Sequence, residues 1–427
     1  MPIKISFQNK ALSAVGGLLC FEALIKQMRL GEAVEPSLPT GKISGKSTPF
    51  DKFQALLLAS VAGAECLDDM DRLQNEPVFG ELNGPLQTAR SYGNFLRKFS
   101  SSHLQGLNHQ LSQLAGRLRS RVGTEERLIL DMDSTGHIQH GEKMEGLAFN
   151  YKNEWGLDSI EVFDQLGFLY YVNVRSGSTF TADDAPFIVS EVARNLAPSL
   201  RRLKPLLRCD SGYCNNLVFE ACEQQNLDLL VAMRENFYAP LLKRRIKWRL
   251  AKSKELAEEG AEMGESLYFS KRCAKLYRVV FIRRPRKGQR ELFADWQWTY
   301  QAYITSISSS EMDGEEIVKL YRQRGNAENY IRELKNGYDL HHFPCQKLNA
   351  NRAYALIAGF AYNLMRGMAL MIDPKKPPFA KRLRFLLVNL ACQVVRKARE
   401  TIFIFPHRHQ KEVNRCLMNI RLRLGYG

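Results

Sequence analysis

The chain has 427 residues, which is enough for two or three domains with a sizeable buried core. Its apolar share of 45% and charged share of 25% are typical of an ordinary soluble globular protein. The formal net charge is +16 and the isoelectric point is near 9.4. A positive surplus of this size indicates a polyanionic partner, either nucleic acid or an anionic membrane surface.

The membrane alternative finds little support along the chain. No apolar run approaches the roughly 20 residues that a spanning helix needs, and the closest, Ala11 to Ile25, is interrupted by two glycines and Glu22. That run also lacks the basic start and cleavage site of a signal peptide. We therefore predict a soluble intracellular protein without a membrane partner.

Nine cysteines raise the question of a zinc site. The closest group, Cys209, Cys214 and Cys222, lacks the paired C-x-x-C spacing of structural zinc sites. We interpret the cysteines as reduced thiols that act as small core residues.

The first region, residues 1–120, is predicted to be helical, because apolar residues recur at helical spacing in Phe53 to Ala64 and in Ser91 to Leu118. Residues 121–234 change to short apolar runs that predict strands at 128–133, 159–163, 168–174, 206–210 and 228–234, with helices near 184–196 and 216–225. This order of strands and helices predicts a sheet with helices on its faces, so the predicted fold class is mixed α/β.

Three further regions complete the predicted organisation. Residues 235–310 contain strand-like runs after a basic stretch, which predicts a β-rich insertion. Residues 311–340 contain a long helical segment, 311–335, and residues 341–427 are predicted to be helical and basic. Positions 375–427 alone hold 13 Lys or Arg and 2 Glu, so most of the surplus charge lies in this last region.

Two aspartates are predicted at the carboxyl ends of strands, where α/β sheets bind ligands. Asp133 follows the run from Leu128, and Asp210 follows Leu206 to Cys209. Each one alone is better explained as a turn or helix-cap residue. Asp131 adds an ambiguity, since it lies two residues before Asp133 and on the same strand face.

A third segment links these acids to one function. Tyr321, Arg324, Glu328 and Lys335 project within about 60° of one another on a helix, given ~100° per residue. The alternative is a solvated face, because Arg324 and Glu328 form an i,i+4 pair. That alternative accounts for neither the tyrosine nor the two upstream aspartates.

The spacing Tyr-x2-Arg-x3-Glu-x6-Lys resembles the signature around the last catalytic acid of insertion-sequence transposases. The sequences around Asp133 (Leu130 to Thr135) and Asp210 (Arg208 to Tyr213), and the stretch Ala361 to Leu364, are similar to the same family. The chain is identified as a member of the bacterial transposases of DDE domain group 1, with the strongest similarity between residues 127 and 365.

This resemblance implies a ribonuclease H-like catalytic core, interrupted by the β-rich insertion. It implies that Asp133, Asp210 and Glu328 are the catalytic, metal-binding acids for two Mg²⁺ ions, with Mn²⁺ as a possible substitute. Asp133 is preferred over Asp131 because Ser and Thr follow it.

The resemblance also assigns DNA contacts. Tyr321, Arg324 and Lys335 match residues that contact phosphates near the cleaved end, a role that suits their hydrogen-bonding and charge. Trp298 and Trp296 are candidates to stack on a flipped base, the alternative being tryptophans packed in the core of the insertion. Arg234 matches a further family position.

The expected function is cut-and-paste transposition by a bacterial, nucleoid-associated cytoplasmic enzyme. Its partners would be the terminal inverted repeats, bound by the helical first region, and target DNA, with a homodimer pairing the two ends. The alternatives are a nuclease on the same scaffold that does not join DNA, and a catalytically inactive DNA-binding derivative.

Overall fold

A mixed sheet with helices packed around it forms the framework of the protein in the computed structural model, which describes residues 10–40, 47–84, 87–123, 126–150, 152–286, 298–398 and 400–424. The predicted α/β class is confirmed. The strands are β1 Leu12–Ser13, β2 Ile129–Ile138, β3 Ala148–Phe149, β4 Trp155–Asp164, β5 Leu169–Ser176, β6 Leu206–Cys209, β7 Asp228–Ala232, β8 Arg249–Leu250, β9 Glu262–Ser270, β10 Lys275–Pro285, β11 Trp298–Thr305, β12 Cys392–Lys397 and β13 Glu400–Ile404.

The helices are distributed along the whole described chain. They are α1 Leu18–Gln27, α2 Leu30–Val34, α3 Pro49–Ala62, α4 Asp69–Leu73, α5 Pro77–Asn83, α6 Ala89–Leu96, α7 Ser101–Val122, α8 Ala185–Asn195, α9 Pro198–Arg201, α10 Asn216–Gln224, α11 Glu235–Leu242, α12 Lys254–Glu258, α13 Gly314–Arg322, α14 Gly325–Gly337, α15 Leu348–Ile372, α16 Ala380–Leu383 and α17 Gln410–Leu424.

Strand β2 lies inside the large sheet and connects its two halves. On one side it pairs antiparallel with β4, which pairs antiparallel with β5; on the other it pairs parallel with β6, which pairs parallel with β7. Strand β11 then pairs antiparallel with β7, and β10, β9 and β8 follow it in that order across the sheet. The strands of the predicted insertion therefore extend the same sheet, because Tyr303, Ile304 and Thr305 continue the ladder of β7.

The free edge of β5 is covered by two helices. The side chain of Asn108 on α7 accepts from the Val172 amide and donates to its carbonyl, at 3.2 Å each. Asn363 on α15 does the same for Leu169, at 2.8 Å each. Both asparagines are buried, and each satisfies a backbone donor and acceptor that would otherwise lie unpaired in the core.

Helix α15 corrects an expectation about apolar length. It has 25 residues and is long and apolar enough to cross a membrane by length and composition, so the prediction that no apolar run reaches such a length is wrong. Its apolar window is 94% buried inside the protein. This burial is that of a core helix, packed against α7, α3 and β5.

The region 341–427 also differs from its predicted all-helical character. Strands β12 and β13 form an antiparallel hairpin, and β1 pairs with the other edge of β12. Val394, Val395 and Ile402 lie in these strands, and β-branched side chains favour a pleated, half-buried surface. The basic region is therefore joined to the amino-terminal part of the chain by a small sheet.

Candidate active site

Asp131 forms a buried ion pair. Its two carboxylate oxygens accept from Nε and Nη2 of Arg208, at 2.6 and 2.7 Å, and both side chains are about as buried as any in the core. The parallel register of β2 and β6 places the two residues opposite each other. The guanidinium of Arg208 also donates to the Leu320 carbonyl. The ion pair of Asp131 and Arg208 thus joins β2 to β6, and Arg208 also binds α13.

Asp133 lies two residues further along β2, just past the end of its parallel neighbour. The last pair between β2 and β6 is Met132 with Cys209, whereas β2 continues to Ile138 along β4. The prediction that the strand ends at Asp133 is therefore wrong. Because β6 stops first, the Asp133 side chain still faces open space at this edge of the sheet, with 17% of its surface exposed.

Asp210 directly follows β6 at the same edge. Its Oδ1 accepts from the Gly212 amide at 2.8 Å and so begins a short 3-10 turn, Ser211–Tyr213. Arg234 fixes this turn, since its Nε donates to the Ser211 carbonyl at 2.7 Å and its Nη2 to the Gly212 carbonyl at 2.5 Å. The loop that carries Asp210 is thereby held from both sides.

Asp133 and Asp210 line one cavity of about 1010 Å³. Burial raises the pKa of Asp133, the positive charge of Arg324 opposes this, and the negative charge of Asp210 raises it again, with a raised pKa as the net result. Mutual repulsion of two acids is what a cation between them relieves. Carboxylate oxygens are also the ligands that Mg²⁺ prefers.

The helical segment predicted at 311–335 is broken into α13 and α14 between Arg322 and Gly325. The single stripe predicted for Tyr321, Arg324, Glu328 and Lys335 is therefore wrong in its geometry. Tyr321 lies in the last turn of α13 with its ring centre 4.5 Å from that of Tyr303, and burial raises the pKa of Tyr321. Arg324 lies at the break, at the N-cap of α14.

Arg324 connects Asp133 to Glu328. Its Nη1 donates to Asp133 Oδ2 at 2.9 Å, and its Nη2 lies 3.9 Å from Glu328 Oε1. Glu328 occupies the first turn of α14 and is 69% exposed. A second cavity, of about 370 Å³, is lined by Asp133 and Glu328 together.

Asp133 shares a cavity with each of the other two acids, but the three do not form a closed ligand set. Among the described residues, no group of three or more His, Cys, Asp or Glu lies close enough together to hold a metal ion. Asp133 shares one cavity with Asp210 and the other with Glu328, and Arg324 supplies the positive charge between the last pair. Carboxylate oxygens are donors that suit Mg²⁺, and Arg324 holds one oxygen of Asp133 in this arrangement.

Lys335 ties α14 to β2 beside the acids. Its Nζ donates to Thr135 Oγ1 at 3.2 Å and to the Gly136 carbonyl at 2.7 Å, and burial lowers its pKa. Lys335 lines both cavities. It therefore adds a basic side chain to the wall of both cavities beside Asp133.

Trp298 lies at the start of β11 with one ring face against Arg283, whose guanidinium carbon is 4.2 Å from the ring centre. The same guanidinium lies 4.1 Å from the ring centre of Trp248. Trp298 lines neither of the two cavities, and Trp296 falls outside the described residues.

Two residues at the site were not predicted from the sequence. Arg208 could have been noticed as a lone cation within the apolar run before Asp210. Glu161 pairs with Asp133 across β2 and β4 and is fully buried. Burial raises its pKa to about 8, with the charges of Asp158 and Asp133 adding to the effect, although Ser159 donates to it. No isolated signal in the sequence marks Glu161 as different from an exposed strand residue.

Comparisons with known proteins bear on the chain as a whole. A family model described as transposase DDE domain group 1 matches residues 1–423. The chain is also similar to a cryo-EM structure of the piggyBac transposase synaptic complex with hairpin DNA, at 14% identity and a TM-score of 0.44, with 87% of this chain and 79% of that chain covered. No curated protein sequence matches it. Because the family match spans nearly the whole length, the chain belongs to the family of transposase DDE domain group 1 and is a DNA transposase.

Proposed function

We propose that Asp133, Asp210 and Glu328 form one catalytic centre that cuts the ends of a mobile element and joins them to target DNA. The observation that carries the proposal is the position of Asp133, which lines one cavity with Asp210 and an adjoining one with Glu328. Two Mg²⁺ ions, or Mn²⁺ in their place, would supply the Lewis acidity that activates a nucleophile and stabilises the leaving oxygen.

The three carboxylates would hold these ions, and neighbouring cations would hold the DNA. Lys335 and Arg324 would contact phosphates on either side of the scissile bond, and the Tyr321 hydroxyl would donate a hydrogen bond to the same strand. Arg324 would leave Asp133 for the phosphate, since a phosphate oxygen replaces the carboxylate as its acceptor. Arg234 would keep Asp210 in place by holding the turn that follows it.

The reaction would run in two displacements. Water attacks the phosphodiester at the element end, the bond to the leaving oxygen breaks, and a free 3′-hydroxyl results. That hydroxyl then attacks a second phosphodiester, either in the opposite strand to give a hairpin or in target DNA. In the first displacement a water oxygen replaces the 3′ oxygen on phosphorus, which leaves a 5′-phosphate on the other fragment. In the second, the attacking 3′-hydroxyl replaces the 3′ oxygen of the attacked phosphodiester, which leaves as a new 3′-hydroxyl. No covalent enzyme intermediate is required.

The proposed organisation follows from these assignments. Residues 121–234 and 311–340 would form a ribonuclease H-like core, in support of which the strand order β5-β4-β2-β6-β7 combines antiparallel and parallel pairing. Residues 235–310 would be the β-rich insertion. In it, Trp298 would stack on a base through the ring face that Arg283 does not cover. Residues 1–120 would bind the inverted repeats, and the basic region 341–427 would add phosphate contacts in a homodimer on the bacterial nucleoid.

A strand-joining assay tests this function. Labelled DNA carrying the element's own end is mixed with a supercoiled target plasmid and Mg²⁺, and the products are separated on a gel. We expect cleavage followed by joined products, none with EDTA, and both with Mn²⁺ in place of Mg²⁺. Cleavage without joining would point instead to a nuclease, and DNA binding without cleavage to an inactive derivative; either result would overturn the proposal.

A further inference from the structure

We infer that Phe180 is a stacking platform for a nucleobase of the strand that lies in the cavity of Asp133 and Asp210. The inference rests on the proposed function of that cavity and names a contact inside it. Phe180 lies in the loop of residues 177–184, between β5 and α8, which we call the rim loop. None of the residues of the transposase signature belongs to this loop.

The exposure of Phe180 is the first observation. Its side chain is 53% exposed, although it lines the same cavity as the two aspartates. Five consecutive rim-loop residues, 177–181, line that cavity, so the loop forms one of its walls. The Arg234 guanidinium lies over the ring at 5.5 Å, and the exposed remainder of the ring is surface on which a base can stack.

Hydrogen bonds hold the rim loop in the shape that presents the ring. The Phe180 amide donates to Asp183 Oδ2 at 3.2 Å, and the Asp183 amide donates back to the Phe180 carbonyl at 3.0 Å. Buried Arg175 donates to the Thr181 carbonyl at 3.4 Å and is ion-paired with Asp158. A ring on a fixed backbone loses little conformational entropy when it stacks on a base.

Arg234 places the ring next to the loop of Asp210. Its guanidinium carbon lies 5.5 Å from the centre of the Phe180 ring, while its nitrogens hold the carbonyls of Ser211 and Gly212. The Thr181 methyl group is also so close to Gly212 that a Cβ there would lie 3.2 Å from it. The Phe180 ring thus contacts Arg234, and Arg234 in turn holds the turn that follows Asp210, a proposed metal ligand.

The rest of the lining explains why a nucleic-acid base is the expected partner. Lys335 and Arg234 line the same cavity and suit a phosphate backbone, whereas Phe180 offers a flat apolar face. Cations that follow the backbone, combined with an aromatic that takes a base, are the pattern of single-strand binding sites. Trp298 is less suited to this contact, because it does not line the cavity of Asp133 and Asp210.

The test compares two exposed phenylalanines. The probe is a short DNA duplex with a single-stranded 3′ end, and its affinity is measured with Ca²⁺ in place of Mg²⁺ so that no cutting is required. We expect F180A to weaken binding about tenfold, as loss of one stacked base predicts, and F180Y to stay within about twofold of the parent. Phe187 on α8, 56% exposed and outside the cavity lining, is the matched control, and F187A should bind like the parent.

A photocrosslink locates the contact directly. With 5-iodouracil in the single-stranded end, ultraviolet light should crosslink the DNA to the peptide that contains Phe180, and F180A should lose this crosslink. Equal affinities for F180A and F187A, or crosslinks confined to other peptides, would overturn the inference. The proposed catalytic centre is tested separately, because the affinity comparison does not depend on cleavage. If the D133N variant still cut DNA, the catalytic centre would be wrong, whatever the affinities of the Phe180 variants.

Discussion

The D133N variant is expected to lose DNA cleavage and joining by about 10³-fold or more, with its fold intact. Asp133 is the acid common to both cavities, so its loss removes a ligand shared by the proposed ions. Several kcal/mol of transition-state stabilisation depend on such an ion, and each ~1.4 kcal/mol is a tenfold change in rate. The rate of appearance of cut and joined DNA on a gel measures the effect.

The matched control for this variant is E154Q. Glu154 lines the same large cavity, and the substitution makes the same change from carboxylate to amide without touching the three acids. We expect it to keep cleavage within a few-fold of the parent. If D133N and E154Q had equal rates, Asp133 would have no catalytic role.

The opposite phenotype is expected for Asp131→Ala, which should lower the free energy of unfolding by about 3–5 kcal/mol. The substitution leaves Arg208 buried without its carboxylate partner, and the Leu320 carbonyl alone does not balance the charge. The midpoint of urea unfolding, followed by circular dichroism, measures the loss. D133N should unfold near the parent's midpoint, because its carboxylate is partly solvated.

The double variant Asp131→Leu with Arg208→Met serves as the check on this explanation. If the cost comes from an unpaired buried charge, replacing both ions by apolar side chains should recover most of the lost stability. A double variant as unstable as the single one would contradict the ion-pair account. Equal midpoints for Asp131→Ala and D133N would contradict it as well.

Much of the site was predictable because its residues follow local rules. Asp210 comes directly after an apolar run, and the ends of β6 and β7 lie within a few residues of their predicted positions. The choice between Asp131 and Asp133 was not local, since alternation puts both on one face of β2. The ion pair of Asp131 with Arg208 favours Asp133, and it forms only through the parallel pairing of β2 with β6.

The break between α13 and α14 shows a second limit of local patterns. A glycine inside a helix costs only about 1 kcal/mol relative to alanine, so Gly325 did not by itself predict an end. Contacts formed in the fold decide the geometry: Tyr321 packs on Tyr303, and Arg324 turns to meet Asp133. The chemistry that the spacing of the signature implies stays a prediction, whereas the straight helix assumed for it is wrong.

The hairpin of β12 and β13 was missed for a related reason. Its sequence is rich in basic residues, and that charge favours a helical tail. The strands are stabilised by pairing with β1, nearly 400 residues away in the chain, where the Val394 amide donates to the Ala11 carbonyl at 2.8 Å. Pairing over such a distance leaves no pattern in either segment alone.

Anomalous scattering from crystals of the transposase with Mn²⁺ and its own end DNA tests most directly whether the three acids form one centre. We predict manganese peaks at the carboxylates of Asp133, Asp210 and Glu328, with Arg324 turned from Asp133 to a DNA phosphate. Peaks that leave out Asp133 or Glu328, with the 2.9 Å contact between Arg324 and Asp133 still in place, would contradict the proposed centre.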